Sequence, residues 1–99
     1  MSTKSSYKEK TDNKLREPKQ FHVIMLNDDF TTMDFVVRIL IEIFHKDKVT
    51  AETLMMKVHK EGRAVVGTYP YDIAVTKSNA AMEQARNEGF PFRLTVEEV

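Results

Sequence analysis

The sequence contains no cysteine and only three glycines, and both shortages exclude kinds of chemistry. Without cysteine there is no disulfide framework, no thiolate nucleophile and no thiolate-bound zinc. The three glycines are too scattered to form a phosphate-binding loop. The N-terminal residues lack the apolar core of a signal peptide, and no apolar run is long enough to span a bilayer. We therefore expect a soluble, cytoplasmic protein without a membrane partner.

Charge is balanced along most of the chain. There are 15 basic and 15 acidic residues, and beyond the first twenty positions no basic stripe stands out. Such a stripe is what neutralises phosphates, so the sequence disfavours nucleic acid as a partner. The 99 residues suffice for one small domain with a modest core.

The first 19 residues differ in composition from the rest. After Met1, their only sizeable apolar side chains are Tyr7 and Leu15. Burial then cannot offset the entropy lost on ordering, and we predict a flexible tail over residues 1–19 and a folded domain over residues 20–99. Two roles for the tail stay open, a solubilising extension and a tether to a larger partner.

Hydrophobic periodicity predicts six elements in the folded part. A buried strand at 21–26 precedes an amphipathic helix from Met33 to about residue 44, capped by Thr31 or Thr32. A second helix at about 51–60, capped by Thr50, a strand at 63–69 that Gly67 interrupts, a helix at 71–87 and a strand at 92–96 follow. The order β-α-α-β-α-β predicts an α+β two-layer sandwich, with a three-stranded antiparallel sheet and three helices on one face.

Asn27, Asp28 and Asp29 stand at the predicted corner between the first strand and the first helix. These residue types are ordinary in turns, because their side chains bond local backbone. Adjacent carboxylates beside apolar neighbours also suit a cationic guest. If the second helix packs beside the first, His59 joins this corner at the rim of a cavity lined by Met33, Val36, Met55 and Val58. Methionines are adaptable lining for bulky guests, although each also serves as plain core.

Catalytic and metal sites fit the sequence poorly. No Ser or Lys is paired with His59 in a recognisable spacing, and adjacent aspartates in a turn usually point apart. His22, His45 and His59 are scattered, and the Asn-Asp-Asp run lacks the alternate spacing of a calcium loop. The sequence favours a binding pocket over an enzyme, and we expect no metal and no cofactor.

Three segments carry a family resemblance: VIMLNDDFTTMDFVVRIL, LMMKVHKEGRAVVGTYPYDIAVTK and FPFRLTVEE. They resemble the ClpS family, small adaptors that deliver proteins with destabilising N-terminal residues to a Clp AAA+ unfoldase and its peptidase. The resemblance covers nearly all of residues 21–97.

The resemblance implies roles for ten residues around the expected pocket. Asn27, Asp28 and His59 would hydrogen-bond the α-amino group of a substrate, while Asp29 would add negative potential. The implied guests are N-terminal Phe, Tyr, Trp and Leu, and Met33 would collide with β-branched Val and Ile. Phe92 stands where leucine is common, and its bulk would penalise Trp. The implied lining comprises Thr31, Met33, Val36, Met55, Val58 and Phe92.

The resemblance also implies a second surface for delivery. Asp72 and Lys77 match positions that contact the N-terminal domain of a ClpA- or ClpC-type unfoldase, and the tail matches the segment used in handover. We expect the adaptor to act as a monomer. A second hypothesis stays open, a regulatory inhibitor or scaffold that docks on the unfoldase and leaves the pocket unused.

Overall fold

The structure, a computed structural model, describes residues 17–99. The predictions made for residues 1–16 of the tail lie outside this part of the chain. The elements follow the predicted order β-α-α-β-α-β. They are β1 Gln20–Leu26, α1 Met33–Glu42, α2 Lys48–Glu61, β2 Arg63–Pro70, α3 Tyr71–Asn87 and β3 Arg93–Glu98.

The three strands form one antiparallel sheet in the order β2-β1-β3, as predicted. The strand β1 is central, with Met25 opposite Ala64 on one side and Leu94 on the other. Val23 and Met25 are completely buried, because alternate residues of a strand point to the same face and this face carries the helices. The predicted two-layer architecture is confirmed.

The strand β2 is irregular near Gly67. Val23 pairs with Gly67 and Ile24 pairs with Val65, so Val66 is an extra residue on β2. A β-carbon at Gly67 would lie 2.4 Å from the hydroxyl oxygen of Tyr69, because the tyrosine ring folds over the glycine. The interruption predicted at Gly67 is therefore present, and the glycine makes room for an aromatic ring.

Small residues bring α3 close to the sheet. Ala74, Ala81 and Ala85 are fully buried, and Ser78 is 2 % exposed. The Ser78 Oγ has no hydrogen-bond partner among the described residues. Larger core side chains come from α1, where Phe35, Ile39 and Leu40 are buried. The apolar spacing predicts a buried stripe of Met33, Val36, Val37, Leu40, Ile41 and Phe44, but Met33 and Ile41 are exposed, so the buried face is turned towards Phe35 and Ile39.

The two helix starts near the site differ in how well the sequence predicted them. Thr32 caps α1, its Oγ1 accepting from the Phe35 amide at 3.1 Å, as expected. The prediction that Thr50 caps α2 is wrong: Asp47 is the cap, and its Oδ1 accepts from the Thr50 amide at 2.8 Å. Aspartate outranks threonine at this position, so α2 starts three residues earlier than predicted. The last strand was also predicted to begin at residue 92, whereas in the structure it begins one residue later, at Arg93.

Candidate functional site

Asp28 holds together the corner between β1 and α1. Its Oδ1 accepts from the amides of Phe30 at 2.8 Å and Thr31 at 2.7 Å. Its Oδ2 accepts from the Thr31 hydroxyl at 2.6 Å. These bonds close a turn of the kind that Asp and Asn form with the backbone that follows them. The corner is thus fixed by the side chain that also carries its charge.

The same bonds keep the Asp28 carboxylate ionised. Partial burial raises its pKa, but the bonds from the Thr31 hydroxyl and from the amides of Thr31 and Phe30 together outweigh burial and hold the pKa below its ordinary value. An ionised carboxylate has about four lone-pair positions, of which the corner uses three. One position on Oδ2 is left for a donor from outside.

A backbone contact places this corner beside the end of α2. The Asn27 amide donates to the Gly62 carbonyl at 2.9 Å. Gly62 closes α2 in the left-handed conformation, with φ of 88°, and its own amide donates to Val58. His59 lies in the last turn of α2, so its exposed ring is brought to the corner.

The corner, the start of α1 and the end of α2 enclose a cavity of about 240 Å³. Its wall is polar at the corner and apolar between the helices. Val36 and Val58 are buried, whereas Met33 is 46 % exposed. The volume lies below the roughly 300–1,000 Å³ of drug-sized pockets, as expected for a guest of about one residue. The lining residues are Asn27, Asp28, Asp29, Thr31, Met33, Val36, Met55, Val58 and His59.

The structure brings together nine of the ten residues expected at this pocket and leaves out Phe92. The Phe92 ring is buried and lies edge-on to the ring of Phe35, with centroids 5.5 Å apart. It borders a different depression of about 390 Å³, together with Met82, Arg86, Phe90, Pro91 and Arg93. The expectation that bulk at position 92 penalises Trp loses its geometric basis.

The two residues expected to contact an unfoldase occupy different environments on α3. Asp72 is exposed in the first turn, between Tyr71 and Ile73, which are 55 % and 45 % exposed. Lys77 is half-buried, and its Nζ donates to the Ile43 carbonyl at 2.8 Å. Five helical positions separate Asp72 from Lys77, which puts them about 140° apart around the helix axis. Tyr71 and Ile73 were not singled out from the sequence, although they flank Asp72 directly.

The described residues 17–99 show neither a metal site nor a membrane span. They contain no group of three or more histidine, aspartate or glutamate side chains able to hold a metal ion. None of their helices is both long enough and apolar enough to cross a bilayer. What the cavity offers is a set of acceptors for a cationic donor beside a space for an apolar side chain.

This fold and cavity define a small binding module, and comparison with known proteins identifies its family. The family model described as ATP-dependent Clp protease adaptor protein ClpS matches residues 16–95. The chain therefore belongs to the ClpS family of adaptors of the ATP-dependent Clp protease, a family of adaptor proteins and not of catalysts.

Relatives extend over nearly the whole chain. An adapter protein ClpS from Treponema denticola is 56 % identical over 86 residues, 87 % of this chain and 85 % of the relative. One from Clostridium acetobutylicum is 46 % identical over 101 residues, covering both chains completely. The solved structure of Agrobacterium tumefaciens ClpS2 bound to L-phenylalaninamide is similar with a TM-score of 0.81 and 37 % identity, covering 84 % of this chain and all of that one.

Proposed function

We propose that this adaptor binds proteins through a free N-terminal residue that is bulky and hydrophobic, and delivers them to a Clp AAA+ unfoldase for degradation. The observation that carries the proposal is the cavity itself, which joins an anionic corner to an apolar space about one residue in size. The ligand of the similar ClpS2 structure, L-phenylalaninamide, has the two matching parts, an α-amino group and an aromatic side chain.

The corner suits an α-ammonium group. Such a group carries a positive charge and three N–H donors, and only the first residue of a chain has one. We assign three acceptors to this group: the unused position on the Asp28 Oδ2, the side-chain oxygen of Asn27 and the ring of His59. Asp29 is exposed and adds negative potential at the rim. An internal peptide bond, which is uncharged, gains none of this attraction.

The apolar part of the cavity suits the first side chain. Val36 and Val58 are buried between α1 and α2, while Met33 and Met55 are unbranched and adjust to guests of different outline. We assign Phe, Tyr, Trp and Leu as guests, with Thr31 lining the entrance. Met33, partly exposed, is the side chain that a branched β-carbon would meet.

A labelled peptide beginning with Phe, measured by fluorescence anisotropy, tests the binding site. We expect binding to the free peptide and none to its N-acetylated form, because acetylation removes the charge and two donors. Asp28→Asn should weaken binding about tenfold or more, within the range for one lost charge-assisted bond. Asp34→Asn is the matched control, since Asp34 is an exposed acid of α1 outside the cavity lining. Equal affinity for both peptides would refute the proposal.

Delivery needs a second surface, which we place at the first turn of α3. Asp72 there lies between two exposed apolar side chains, Tyr71 and Ile73, the mixture expected of a docking patch. We propose that this surface contacts the N-terminal domain of a ClpA- or ClpC-type unfoldase, and that residues 1–19 serve in handover.

The Asp72→Arg variant should bind the Phe peptide normally but fail to promote degradation of a Phe-initiated reporter by the Clp protease. A docking-only inhibitor would instead leave the peptide unbound.

A further inference from the structure

The depression beside Phe92 lies on a different side of α1 from the pocket. Val36 lines the pocket, whereas the adjacent Phe35 packs edge-on against the rings of Phe90 and Phe92, with centroids 5.2 and 5.5 Å away. Those two rings belong to the wall of the depression, whose volume is about 390 Å³. The hydrophobic core therefore fixes this wall, and the space it encloses is separate from that of the pocket.

Two arginines, Arg86 and Arg93, border the depression, which we call the arginine depression. Arg86 lies in the last turn of α3, Arg93 is the first residue of β3, and both are exposed. Neither guanidinium forms an ion pair with another residue of the range 17–99. Apolar surface lies next to these charges, because Met82, Phe90 and Pro91 share the lining.

The other two arginines of the described range are paired. Arg38 pairs with Glu88, and this bond also occupies the acid that follows α3. Arg63 pairs with Glu97, with 3.6 Å between nitrogen and oxygen. Glu83 of α3 forms no ion pair with any residue of the range 17–99. The arginine depression thus carries two unpaired positive charges on a chain whose formal net charge is zero.

A role within the fold explains only one of the two charges. Arg86 suits the end of α3, where a cation faces the negative end of the helix dipole. The dipole does not account for Arg93, which begins a strand. A guanidinium presents a planar fork of N–H donors that matches the two oxygens of a carboxylate. Two such forks around an apolar hollow complement a ligand with carboxylates on either side of an apolar group.

We propose that the arginine depression is a docking site for an acidic segment of a partner protein that carries one bulky apolar side chain. The apolar side chain enters the hollow against Phe90, and flanking carboxylates bind Arg86 and Arg93. Nucleic acid fits less well, because two arginines do not make the basic stripe that neutralises a run of phosphates. The proposal goes beyond the proposed function, since the ligand needs no free N-terminus and binds on another side of α1.

Titration of the full chain with an acetylated and amidated Glu-Glu-Leu-Glu-Glu peptide, followed by amide chemical shifts, tests the site. Acetylation excludes the peptide from the pocket. We expect shift changes at residues 82–93 and none at the corner, residues 27–31. A peptide with Ala in place of Leu should bind about fivefold more weakly, because it buries less apolar surface. No shift change at millimolar peptide, or equal affinity for Lys-Lys-Leu-Lys-Lys, overturns the proposal.

Substitution of the arginines tests their role. Arg86→Gln and Arg93→Gln should each weaken the acidic peptide about three- to fivefold, the range of exposed ion pairs, and together about tenfold. Arg63→Gln is the matched control, since it removes the same charge outside the depression and should leave affinity unchanged. In urea, Arg86→Gln and Arg93→Gln should unfold like the unaltered protein. Lower stability with unchanged affinity would mean that these arginines serve the fold, which overturns the proposal.

Two further titrations separate the remaining explanations. A short oligouridylate that shifts the same amides at lower concentration than the acidic peptide would assign the depression to nucleic acid and overturn the proposal. An adaptor saturated with the Phe peptide should still bind the acidic peptide, and displacement of one by the other would show that they share a site. An adaptor that binds no Phe peptide would refute only the proposed function, so the two failures are distinct.

Discussion

The Asn27 amide and the Gly62 carbonyl, 2.9 Å apart, connect the two halves of the candidate site. The contact extends the pairing of β1 with β2 by one position beyond Leu26 and Arg63. On one side of it the chain turns into the corner that Asp28 closes, and on the other α2 ends just after His59. Because the strand pairing continues to Gly62, the residue that caps α2, the anionic corner and His59 lie side by side.

Replacement of Gly62 should separate these two halves. Gly62 has a φ of 88° with open space around its β-position, so an alanine there is strained by backbone conformation alone. We expect Gly62→Ala to lower the free energy of unfolding by about 1–2 kcal/mol. Relief of this strain moves the carbonyl that holds Asn27, so affinity for a Phe peptide should fall as well. Urea unfolding and fluorescence anisotropy measure the two effects.

Gly89 provides the matched control. It has a φ of 81° and equally open surroundings, but it follows α3 and does not line the cavity. Gly89→Ala should cost similar stability and leave peptide affinity unchanged. If both variants lose affinity to the same extent, the effect comes from general destabilisation and the role given to the Asn27–Gly62 contact is wrong.

Met33 should determine which first residues are accepted. Met33→Ala removes the partly exposed side chain at the pocket and should admit peptides beginning with Val or Ile, because the contact against a branched β-carbon disappears. Affinities for Phe, Leu, Val and Ile peptides, measured in parallel, show the change in selectivity.

Met56 offers a control for loss of methionine bulk. It is half-buried on α2 next to Met55 but is not part of the cavity lining. Met56→Ala should keep the order of preference of the unaltered protein. If the Met33→Ala variant still rejects Val and Ile, Met33 is not the side chain that excludes branched first residues.

Local patterns predicted the element order and most of the lining residues, whereas Thr31 was expected only from the family resemblance. Apolar spacing on α1 and α2 placed Val36 and Val58 inward, and the Asn-Asp-Asp run marked the corner. Which of two capping residues starts α2 could not be decided in this way, since Asp47 and Thr50 both have suitable side chains. Asp47 accepts from the Thr50 amide, whereas a cap at Thr50 would accept from amides one turn later, so the choice depends on whether residues 48–50 are helical.

Phe92 and Lys77 show where sequence patterns fail. Strand alternation correctly buries Phe92, but its place beside Phe35, away from the cavity, depends on how three aromatic rings pack. The family resemblance assigns Lys77 to a docking contact, and nothing in the sequence indicates that its ammonium bonds a carbonyl 34 positions away. Contacts of this kind leave no periodic signal, because only the folded backbone brings the two groups together.

Substitution of Ser78 by alanine should stabilise the fold. Its Oγ is buried in the small-residue face of α3 without a partner among the described residues, and a buried unsatisfied hydroxyl costs about 1–3 kcal/mol. Ser78→Ala removes the hydroxyl and matches the neighbouring alanines, so we expect the free energy of unfolding in urea to rise by about 1 kcal/mol. Asn79→Ala, on the exposed side, controls for the helix propensity of alanine. A less stable Ser78→Ala variant would mean that the hydroxyl is satisfied in solution.

Acid should destabilise the protein through Asp28 and Asp47. The pKa of Asp47 is lowered by the Thr50 backbone and side-chain hydrogen bonds. At Asp28, burial raises the pKa, but the hydrogen bonds from Thr31 and Phe30 outweigh it and lower the pKa overall. A lowered folded-state pKa means that each contribution is complete above the ordinary value of about 3.9 and is lost as pH falls through the lower folded value. The free energy of unfolding should therefore decrease below about pH 4.

Asparagine at position 47 isolates one of these contributions. It is an equally good cap with an acceptor oxygen but cannot titrate, so Asp47→Asn should match the unaltered protein at pH 7 and lose less stability between about pH 4 and pH 2. Urea unfolding across this pH range gives the slope directly. The Asp28→Asn variant should likewise show a shallower slope, but only it should also lose affinity for a Phe peptide at pH 7. Identical slopes in all three proteins would show that neither carboxylate is held ionised by the bonds described for it.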